Sequence, residues 1–190
     1  MTNAAPQQQY TLPHTQITLP SPVTVSDYQA VELTCGLAYA ATLSINGIRV
    51  GTIENQGTGG DTWLHTTNTH RPAWEALVAG ARSQDGAAMD EETLAEHLVT
   101  EAEFTEAIRS IGHSRKRYVV RLIEEHAIYS GEEVHSTFTV RVPRTVEFTR
   151  AVTITPEMVP AVFGRMALPE EVQRADAYAQ GQWVRFYSAQ

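Results

Sequence analysis

The sequence has a single cysteine, Cys35, among 190 residues. One cysteine excludes an intrachain disulfide, a Cys-rich zinc site and a Cys-x-x-Cys redox pair. The sequence also lacks a run of about 18 apolar residues and an N-terminal signal-peptide pattern. We therefore expect neither a membrane span nor secretion by a signal peptide, and we expect the protein to act in the cytoplasm of a host cell or in a virion.

Positive charge is also scarce, because 14 basic residues face 22 acidic ones and the net charge is −8. The segment from Ser83 to Ile108 contains acidic residues but no lysine or arginine. A cluster of carboxylates on a helix attracts a basic partner. The common alternative is that such a cluster only forms the solvent-facing side of the helix. We predict that the acidic partner surface consists of Glu91, Glu92, Glu96, Glu101, Glu103 and Glu106.

Alternating apolar and polar residues predict several strands. The odd positions from Val31 to Ile45 are mostly apolar, which predicts one long strand with an inward-facing Cys35 and a bend or bulge at Gly36. Later strands are predicted around Tyr118–Ile123, Val134–Val142, Val146–Ile154 and Trp183–Tyr187, with a hairpin connection at Ser130-Gly131.

Helices are predicted between and after these strands. Pro72 opens the first, with Trp74 and Leu77 on its apolar stripe. A second helix is predicted over about Asp90 to Ile111, ending at Gly112. Its apolar stripe changes direction near Thr100, which predicts a kink or break there. Short helical segments are predicted to start at Thr155-Pro156 and at Leu168-Pro169, the latter ending at Gly181.

These elements predict an α+β fold, mainly an antiparallel sheet with hairpins and with helices packed on one face. Residues 1–9 are polar, and we expect a flexible tail there. We predict a single domain over residues 10–190.

Asn46-Gly47 predicts a two-residue hairpin, since both positions of a type I′ turn need positive φ. Pairing Ile45 with Ile48 then sets Leu43 opposite Val50, so that apolar residues meet on one face. A glycine-rich loop follows. It is either an ordinary loop or a ligand- or partner-binding loop, and its candidate residues are Asn55, Gly57, Gly59, Gly60, Asp61, Trp63 and His65.

The hairpin and loop share a motif, Asn46-Gly47-x-x-Val50-Gly51-x-x-x-Asn55-x-Gly57-x-Gly59-Gly60. This motif resembles a family of small uncharacterised proteins of bacteria and their phages, in which a helical segment and a basic strand start follow. The segment beginning at Arg115 looks similar to that strand start. The resemblance covers roughly residues 37–122, and it implies a phage or mobile-element context but no reaction.

The remaining candidate sites have weaker support from the sequence. The basic patch Arg115, Lys116, Arg117 and Arg121, next to Tyr118, either contacts phosphates or complements a helix C-terminus. His65, His70 and Asp61 fit no established metal spacing, and no nucleophile motif is present. We therefore predict no catalytic residue, no metal site and no cofactor, and we expect nucleic-acid binding to be absent.

The sequence favours a non-catalytic binding protein, encoded by a phage or mobile element, that acts on a host partner. The first alternative is a virion structural or assembly component. A further alternative is a small-ligand or nucleotide-handling protein that uses the loop from Gly57 to His65.

Overall fold

The computed structural model describes residues 9–130, 133–140 and 143–189. The predicted tail lies almost entirely outside the described residues. The fold is α+β with antiparallel sheets, as predicted. The chain divides into two compact units, unit 1 up to Ala102 and unit 2 from Glu103. The predicted single domain stays a prediction.

Unit 1 contains a four-stranded meander. Its strands are β3 (Val23–Leu33), β4 (Gly36–Ile45), β5 (Ile48–Gln56) and β6 (Trp63–Thr66), in that order across the sheet. A small sheet of β1 (Tyr10–Thr11) and β2 (Thr18–Leu19) precedes it, and helix α1 (Arg71–Gly80) follows.

The prediction of one strand from Val31 to Ile45 is wrong. The chain reverses at Thr34-Cys35, and Leu33 pairs with Gly36 in an antiparallel β3–β4 hairpin. Val31 and Leu33 are 61% and 40% exposed, so the alternation there does not mark a buried face. Cys35 is exposed in the turn, so the prediction that it faces inward is also wrong. The alternation of apolar and polar residues correctly indicated strand structure. It cannot distinguish one long strand from two shorter ones joined by a tight turn.

The Asn46-Gly47 hairpin is confirmed, with φ of 52° and 76° at its two turn residues. Ile45 pairs with Ile48 and Ser44 with Arg49, but Leu43 pairs with Gly51 because the register shifts there. The shift leaves Val50 as an extra residue. Val50 and Ile53 are both buried, although residues three apart on a regular strand point to opposite faces. The bulge therefore turns both side chains towards the core and corrects the predicted register.

Helices cover one face of this sheet. Trp74 and Leu77 of α1 are buried, as predicted, and they join Leu43, Ile53 and other sheet residues in one apolar cluster. The N-terminal half of helix α2 (Glu91–Ile111) adds Leu94, Ala95, Leu98 and Val99 to the same cluster.

The predicted break in α2 near Thr100 is wrong, because the helix is continuous from Glu91 to Ile111. The change of stripe has another cause. Leu98 packs in the core of unit 1, whereas Phe104 is buried in unit 2 against Trp183, with ring centroids 5.3 Å apart. The apolar stripe changes direction between Leu98 and Phe104 because these two residues of the same helix pack in different clusters. Gly112, with φ of 51°, follows the last helical residue as predicted.

Unit 2 is built on the strand order β11-β10-β7-β8, in which β9 also pairs with β7. The bounds are β7 (Arg117–Ser130), β8 (Glu133–Val140), β9 (Arg144–Glu147), β10 (Val172–Ala179) and β11 (Gln182–Ser188). A 3₁₀ turn (Pro156–Met158) leads into the short helix α3 (Val159–Phe163). The predicted strand at Val146–Ile154 ends at Glu147. The predicted connection at Ser130-Gly131 and the end of the strand at Val142 fall partly outside the described residues.

The predicted helix from Pro169 to Gly181 is wrong. The segment forms β10, which turns at Gln180-Gly181, with φ of 49° and 89°, into β11. Ala175, Ala177 and Ala179 are buried on one face and alternate with larger residues. Alanine favours a helix in isolation, but the small side chains here pack a sheet against an apolar cluster, and tertiary burial outweighs a propensity of a few tenths of a kcal/mol. Within the described ranges, none of the helices has the length and apolarity needed to cross a bilayer.

Candidate functional site

The glycine-rich loop connects β5 to β6 and is held by the side chain of Asn55. Asn55 Oδ1 accepts a hydrogen bond from the N–H of Gly57 at 2.8 Å. Its Nδ2 donates to the carbonyl oxygen of Gly60 at 3.1 Å and to the hydroxyl of Thr62 at 3.2 Å. The Thr62 hydroxyl also lies 2.7 Å from the hydroxyl of Tyr39. Because the N–H of Gly57 is already bonded, it is not offered to an anion.

Gly57 is a glycine for steric reasons. Its φ is +69°, and a Cβ there would lie 2.6 Å from the backbone nitrogen of Ala38 on β4. The thiol of Cys35 donates to the Gly57 carbonyl oxygen at 3.1 Å, which ties the β3–β4 turn to the same point. The loop therefore packs against the sheet at its first residue, while Gly59, Gly60 and Asp61 remain exposed.

The strand that follows the loop exposes a large aromatic side chain. Thr62 is buried and Leu64 packs against the core of unit 1, so that Trp63 and His65 point to the face that α1 does not cover. Trp63 is 61% exposed. His65 Nε2 lies 3.3 Å from Glu54 Oε2 on the neighbouring strand.

The six residues of the predicted acidic surface do not form one surface. Glu101 is buried, and its carboxylate accepts hydrogen bonds from the N–H groups of His14, at 3.0 and 3.2 Å, and Thr15, at 2.8 Å. Glu103 is also buried. These two carboxylates are therefore unavailable to a partner. Sequence position alone does not show this, because an inward-facing Glu and an outward-facing Glu look alike in a charge run.

The exposed acids divide into paired and unpaired groups. Glu106 accepts two hydrogen bonds from Arg109, at 2.7 and 2.8 Å, and Glu91 is paired with Arg71 of α1. Glu92 and Glu96 are exposed one helical turn apart. Partial removal from water, together with the nearby carboxylates of Glu92, Asp90 and Asp61, raises the pKa of Glu96. The influence of Asp61 on Glu96 links the glycine-rich loop electrostatically to α2.

A hollow of about 240 Å³ lies between the glycine-rich loop and the N-terminus of α2. The loop and β6 contribute Asp61 and Trp63, and the N-terminus of α2 contributes Glu91 and Glu92. Arg71 and Trp74 of α1 complete the charged and aromatic part of the lining. We call the exposed residues Asp61, Trp63, Glu92 and Glu96 the acidic–aromatic surface.

Trp63 also borders a second hollow of about 340 Å³, lined on the sheet side by Glu54, Gln56 and His65. Trp63 therefore borders both hollows and is largely exposed. Of the predicted loop residues, Asp61, Trp63 and His65 therefore lie at accessible positions. Asn55 and Gly57 instead hold the loop in place.

Trp74 was predicted only as a core residue of α1. Trp74 is fully buried, and its Nε1–H has no hydrogen-bond acceptor within the described ranges. A buried donor without an acceptor costs roughly 1–3 kcal/mol. No sequence signal identifies such a group, because its partners come from other elements.

One of the four residues of the predicted basic patch is buried. Arg115, Lys116 and Arg117 are exposed, but Arg121 is only 2% exposed. Its guanidinium donates to Asp176 Oδ2 at 2.8 Å and lies 4.6 Å from the ring centroid of Trp183. Burial lowers the pKa of Arg121, and the charge of Asp176 opposes that change. Arg121 therefore lies in the interior of unit 2 and is not available to a phosphate.

Tyr118 is likewise unavailable for stacking on a nucleic-acid base. It is buried, and its hydroxyl donates to the carbonyl oxygen of Val152 at 2.6 Å and accepts from the N–H of Ile154 at 3.1 Å. Among the residues described, no three His, Cys, Asp or Glu side chains are grouped so as to hold a metal ion. The absence of catalytic residues and of a cofactor stays a prediction.

No protein-family model, curated protein or solved structure matches this chain. The resemblance of the hairpin and loop to small bacterial and phage proteins stays a prediction.

Proposed function

We propose that this protein is a non-catalytic binding protein that captures a protein partner through the acidic–aromatic surface. The observation that carries the proposal is the exposed Trp63 beside a hollow whose walls come from the glycine-rich loop and from α2. Tryptophan is enriched among the residues that dominate binding energy at protein interfaces. A largely exposed tryptophan on a strand has no evident role in stabilising the fold.

The charge of the surface favours a basic partner. Asp61 and Glu92 line the hollow that Trp63 borders, and both influence the charge of Glu96. Glu91 lines the same hollow in an ion pair with Arg71. Complementary charge steers association and suppresses contacts with acidic proteins. The surface therefore favours a partner segment that carries lysine or arginine.

The framework of the surface supports binding with little reorganisation. Three hydrogen bonds of Asn55 hold the loop, and Gly57 packs against β4. A surface held in its binding conformation loses less conformational entropy on association than a free loop does.

The cellular context of the proposal comes from the motif between Asn46 and Gly60. Its resemblance to bacterial and phage proteins favours an accessory protein, encoded by a phage or mobile element, that acts on a host partner in the host cytoplasm.

Affinity purification from host lysate tests the proposal by comparing variants. Trp63→Ala and the double variant Glu92→Lys/Glu96→Lys are each expected to lose the protein that the wild type retains. The matched control is Glu106→Lys, which reverses a carboxylate of the same helix whose side chain is 46% exposed and lies outside the acidic–aromatic surface. Far-ultraviolet circular dichroism verifies that each variant is folded. Retention of the same proteins by wild type and both variants would refute the proposal.

A virion or assembly component is the second candidate, and one observation favours it. Strand β3 lies at the edge of its sheet and exposes Val31 and Leu33. An exposed apolar edge strand is suited to pairing with another chain. Sedimentation of the wild type and of Val31→Thr/Leu33→Thr tests this candidate, since it requires self-association that the variant weakens. A wild type that is strictly monomeric and absent from particles would reject it.

A further inference from the structure

We infer that the outer face of strands β5 and β6, the face that α1 does not cover, binds a guanine nucleotide, with the base stacked on Trp63 and the phosphate held by Arg49 and His70. The inference goes beyond the proposed function, because it assigns a small molecule to a surface that includes neither Glu92 nor Glu96. The same chemistry occurs in a free nucleotide and in the 5′-terminal guanosine of a nucleic-acid strand.

The strand register places the aromatic ring and its polar neighbours on one face. Glu54 pairs with Trp63 across β5 and β6, and Ile53 pairs with Leu64. Ile53 and Leu64 pack in the core of unit 1, and successive side chains of a strand alternate between its faces. Glu54, Trp63 and His65 therefore share the outer face. The distance of 3.3 Å between His65 Nε2 and Glu54 Oε2 agrees with this arrangement.

Two hollows meet at His65. The 340 Å³ hollow contains Trp63, and a further hollow of about 480 Å³ is lined by Arg49 and His70; His65 lines both. Both volumes lie within the roughly 300–1,000 Å³ of small-molecule sites. Together the two hollows form an elongated site that suits a ligand with two chemically different ends.

The two hollows differ in charge. The 340 Å³ hollow offers the carboxylates of Glu54 and Asp61 beside the ring of Trp63. The 480 Å³ hollow contains the cation of Arg49 and the imidazole of His70, and its described lining includes no carboxylate. A ligand that matches both has hydrogen-bond donors on a planar ring at one end and a negative charge at the other. A guanine nucleotide has this polarity, whereas a simple cation or anion matches only one end.

The 340 Å³ hollow favours guanine over adenine. An exposed tryptophan ring is a stacking platform, and stacking of a base on an aromatic side chain contributes roughly 1–3 kcal/mol. Guanine presents a ring N–H and an amino group side by side, and one carboxylate accepts from both. Adenine presents a ring acceptor beside its amino group, which a carboxylate repels. Glu54 lies directly opposite Trp63, and Asp61 precedes it by two residues, so both carboxylates flank a base stacked on the indole.

The 480 Å³ hollow favours a phosphate. Arg49 pairs with Ser44 on β4, and both neighbours of Ser44 in sequence are buried, so that Ser44 and Arg49 point to the outer face. Within the described ranges, no carboxylate forms an ion pair with Arg49. A guanidinium binds a phosphate with two parallel hydrogen bonds, and the imidazole of His70 supplies a further donor.

The separation of the two ends suits one nucleotide. Glu54, opposite Trp63, pairs with Ala40, and Arg49 pairs with Ser44. Ala40 and Ser44 are four positions apart on β4, which corresponds to roughly 13 Å along a strand. The long side chain of Arg49 covers part of this distance, and the ribose between base and phosphate covers the rest.

A titration followed by NMR tests the inference on the intact chain. The probes are GMP, guanosine, AMP and inorganic phosphate, and the readout is the indole N–H signals of the three tryptophans. We expect GMP to shift the Trp63 signal with saturation and to leave the Trp74 and Trp183 signals unchanged. Guanosine should bind at least about fivefold more weakly, because it lacks the phosphate. AMP should bind at least about tenfold more weakly, because its ring acceptor faces a carboxylate.

Two variants examine the two ends of the site separately. Arg49→Gln should weaken GMP binding at least about fivefold and leave guanosine binding unchanged, whereas Glu54→Gln should weaken both. The matched control is Arg117→Gln, which removes an exposed cation of the predicted basic patch and should leave GMP binding unchanged. Far-ultraviolet circular dichroism verifies that each variant is folded. Equal binding of GMP and AMP, an equal loss of GMP and guanosine in Arg49→Gln, or no shift at Trp63 would overturn the inference.

A further arm distinguishes the two sources of the ligand. The RNA trinucleotide pGUU carries the same guanosine 5′-phosphate at its end. If pGUU binds at least about tenfold more tightly than GMP, the ligand is the end of a strand, because further phosphates add contacts. Equal or weaker binding of pGUU assigns the site to a free nucleotide. Either result supports the inference if Arg49→Gln weakens both probes, and it overturns the inference if the variant weakens neither.

The inference and the proposed function can fail independently, because Arg49 and Glu54 do not belong to the acidic–aromatic surface. If no probe shifts the Trp63 signal while Trp63→Ala still abolishes capture of the partner, the proposed function stands and the inference falls. If GMP binds as expected while Trp63→Ala and Glu92→Lys/Glu96→Lys both retain the partner, the inference stands and the proposed function falls.

Discussion

The side chain of Asn55 closes the glycine-rich loop by accepting the N–H of Gly57 at 2.8 Å, two residues further along the chain. This local turn, with the two bonds that Asn55 donates to the far side of the loop, positions Asp61 and Trp63 at the start of β6. The proposed binding surface therefore depends on a residue that does not belong to it.

Replacing Asn55 should loosen the loop without unfolding the sheet. We expect Asn55→Ala to lower the free energy of unfolding by roughly 1–3 kcal/mol, because three hydrogen bonds are lost at once. Urea denaturation measures this loss, and hydrogen exchange should show faster exchange at residues 57–62 than in wild type. Asn55→Asp keeps the acceptor for Gly57 and should lose less stability. Equal exchange in wild type and Asn55→Ala would contradict this role.

Gly51 should tolerate no side chain. A Cβ at this position would overlap the carbonyl oxygen of His65 on β6. We expect Gly51→Ala to displace the edge strand and to lower the free energy of unfolding by at least roughly 1–3 kcal/mol, the usual range for overpacking. Gly60→Ala is the matched control, since nothing lies within 4 Å of its Cβ position. Thermal unfolding of the two variants side by side measures the difference.

Glu101 should be essential for stability. Its carboxylate satisfies the backbone N–H groups of His14 and Thr15 inside unit 1. We expect Glu101→Ala to lower the free energy of unfolding by roughly 2–4 kcal/mol, because two buried donors are left without their acceptor. Glu106→Ala removes a carboxylate of the same helix that is in contact with solvent, and it should change stability far less. Similar losses in both variants would refute the assignment.

Asp176 should stabilise unit 2 because it accepts hydrogen bonds from two arginines. It pairs with Arg121, at 2.8 Å, and with Arg185, at 3.0 Å, on the two strands that flank it. We expect Asp176→Ala to lower the free energy of unfolding by roughly 3–5 kcal/mol, since Arg121 is left charged and buried. Arg185→Gln should have a much smaller effect, because that side chain is 45% exposed. Chemical denaturation distinguishes these outcomes.

His97 of α2 should make stability depend on pH. Burial lowers its pKa below the ordinary value of 6.5. The unfolded chain then takes up a proton before the folded chain does, so the contribution of His97 is fully present above about pH 6.5 and is lost as the pH falls through the lowered value. We expect a lower urea midpoint at pH 5.5 than at pH 7.5, and a smaller difference in His97→Gln. An unchanged difference would reject the role of His97.

Glu96 should make the stability depend on pH in the opposite direction to His97. Its raised pKa means that the folded state favours the protonated carboxyl, so its contribution is present at low pH and lost as the pH rises through the raised value. The variant Glu96→Gln should therefore lose less stability than wild type as the pH rises from 4 to 7. Urea midpoints across that range isolate the contribution.

The sequence by itself determined the local elements whose chemistry lies within a few neighbouring residues. Positive φ at Asn46-Gly47 fixed the hairpin, Pro72 and the spacing of Trp74 and Leu77 fixed α1, and Gly112 fixed the end of α2. The glycine-rich loop was likewise visible as a candidate from its composition.

The tertiary structure alone decided what each element packs against. It placed Glu101 and Arg121 inside, turned the alanine-rich segment after Pro169 into strand β10, and kept α2 continuous across a change of packing partner. It also brought Asp61 and Trp63 to the same hollow as Glu92, about 30 residues away along the chain. Local patterns cannot encode these outcomes, because burial and charge pairing depend on contacts between residues distant in sequence, and those contacts outweigh intrinsic propensities.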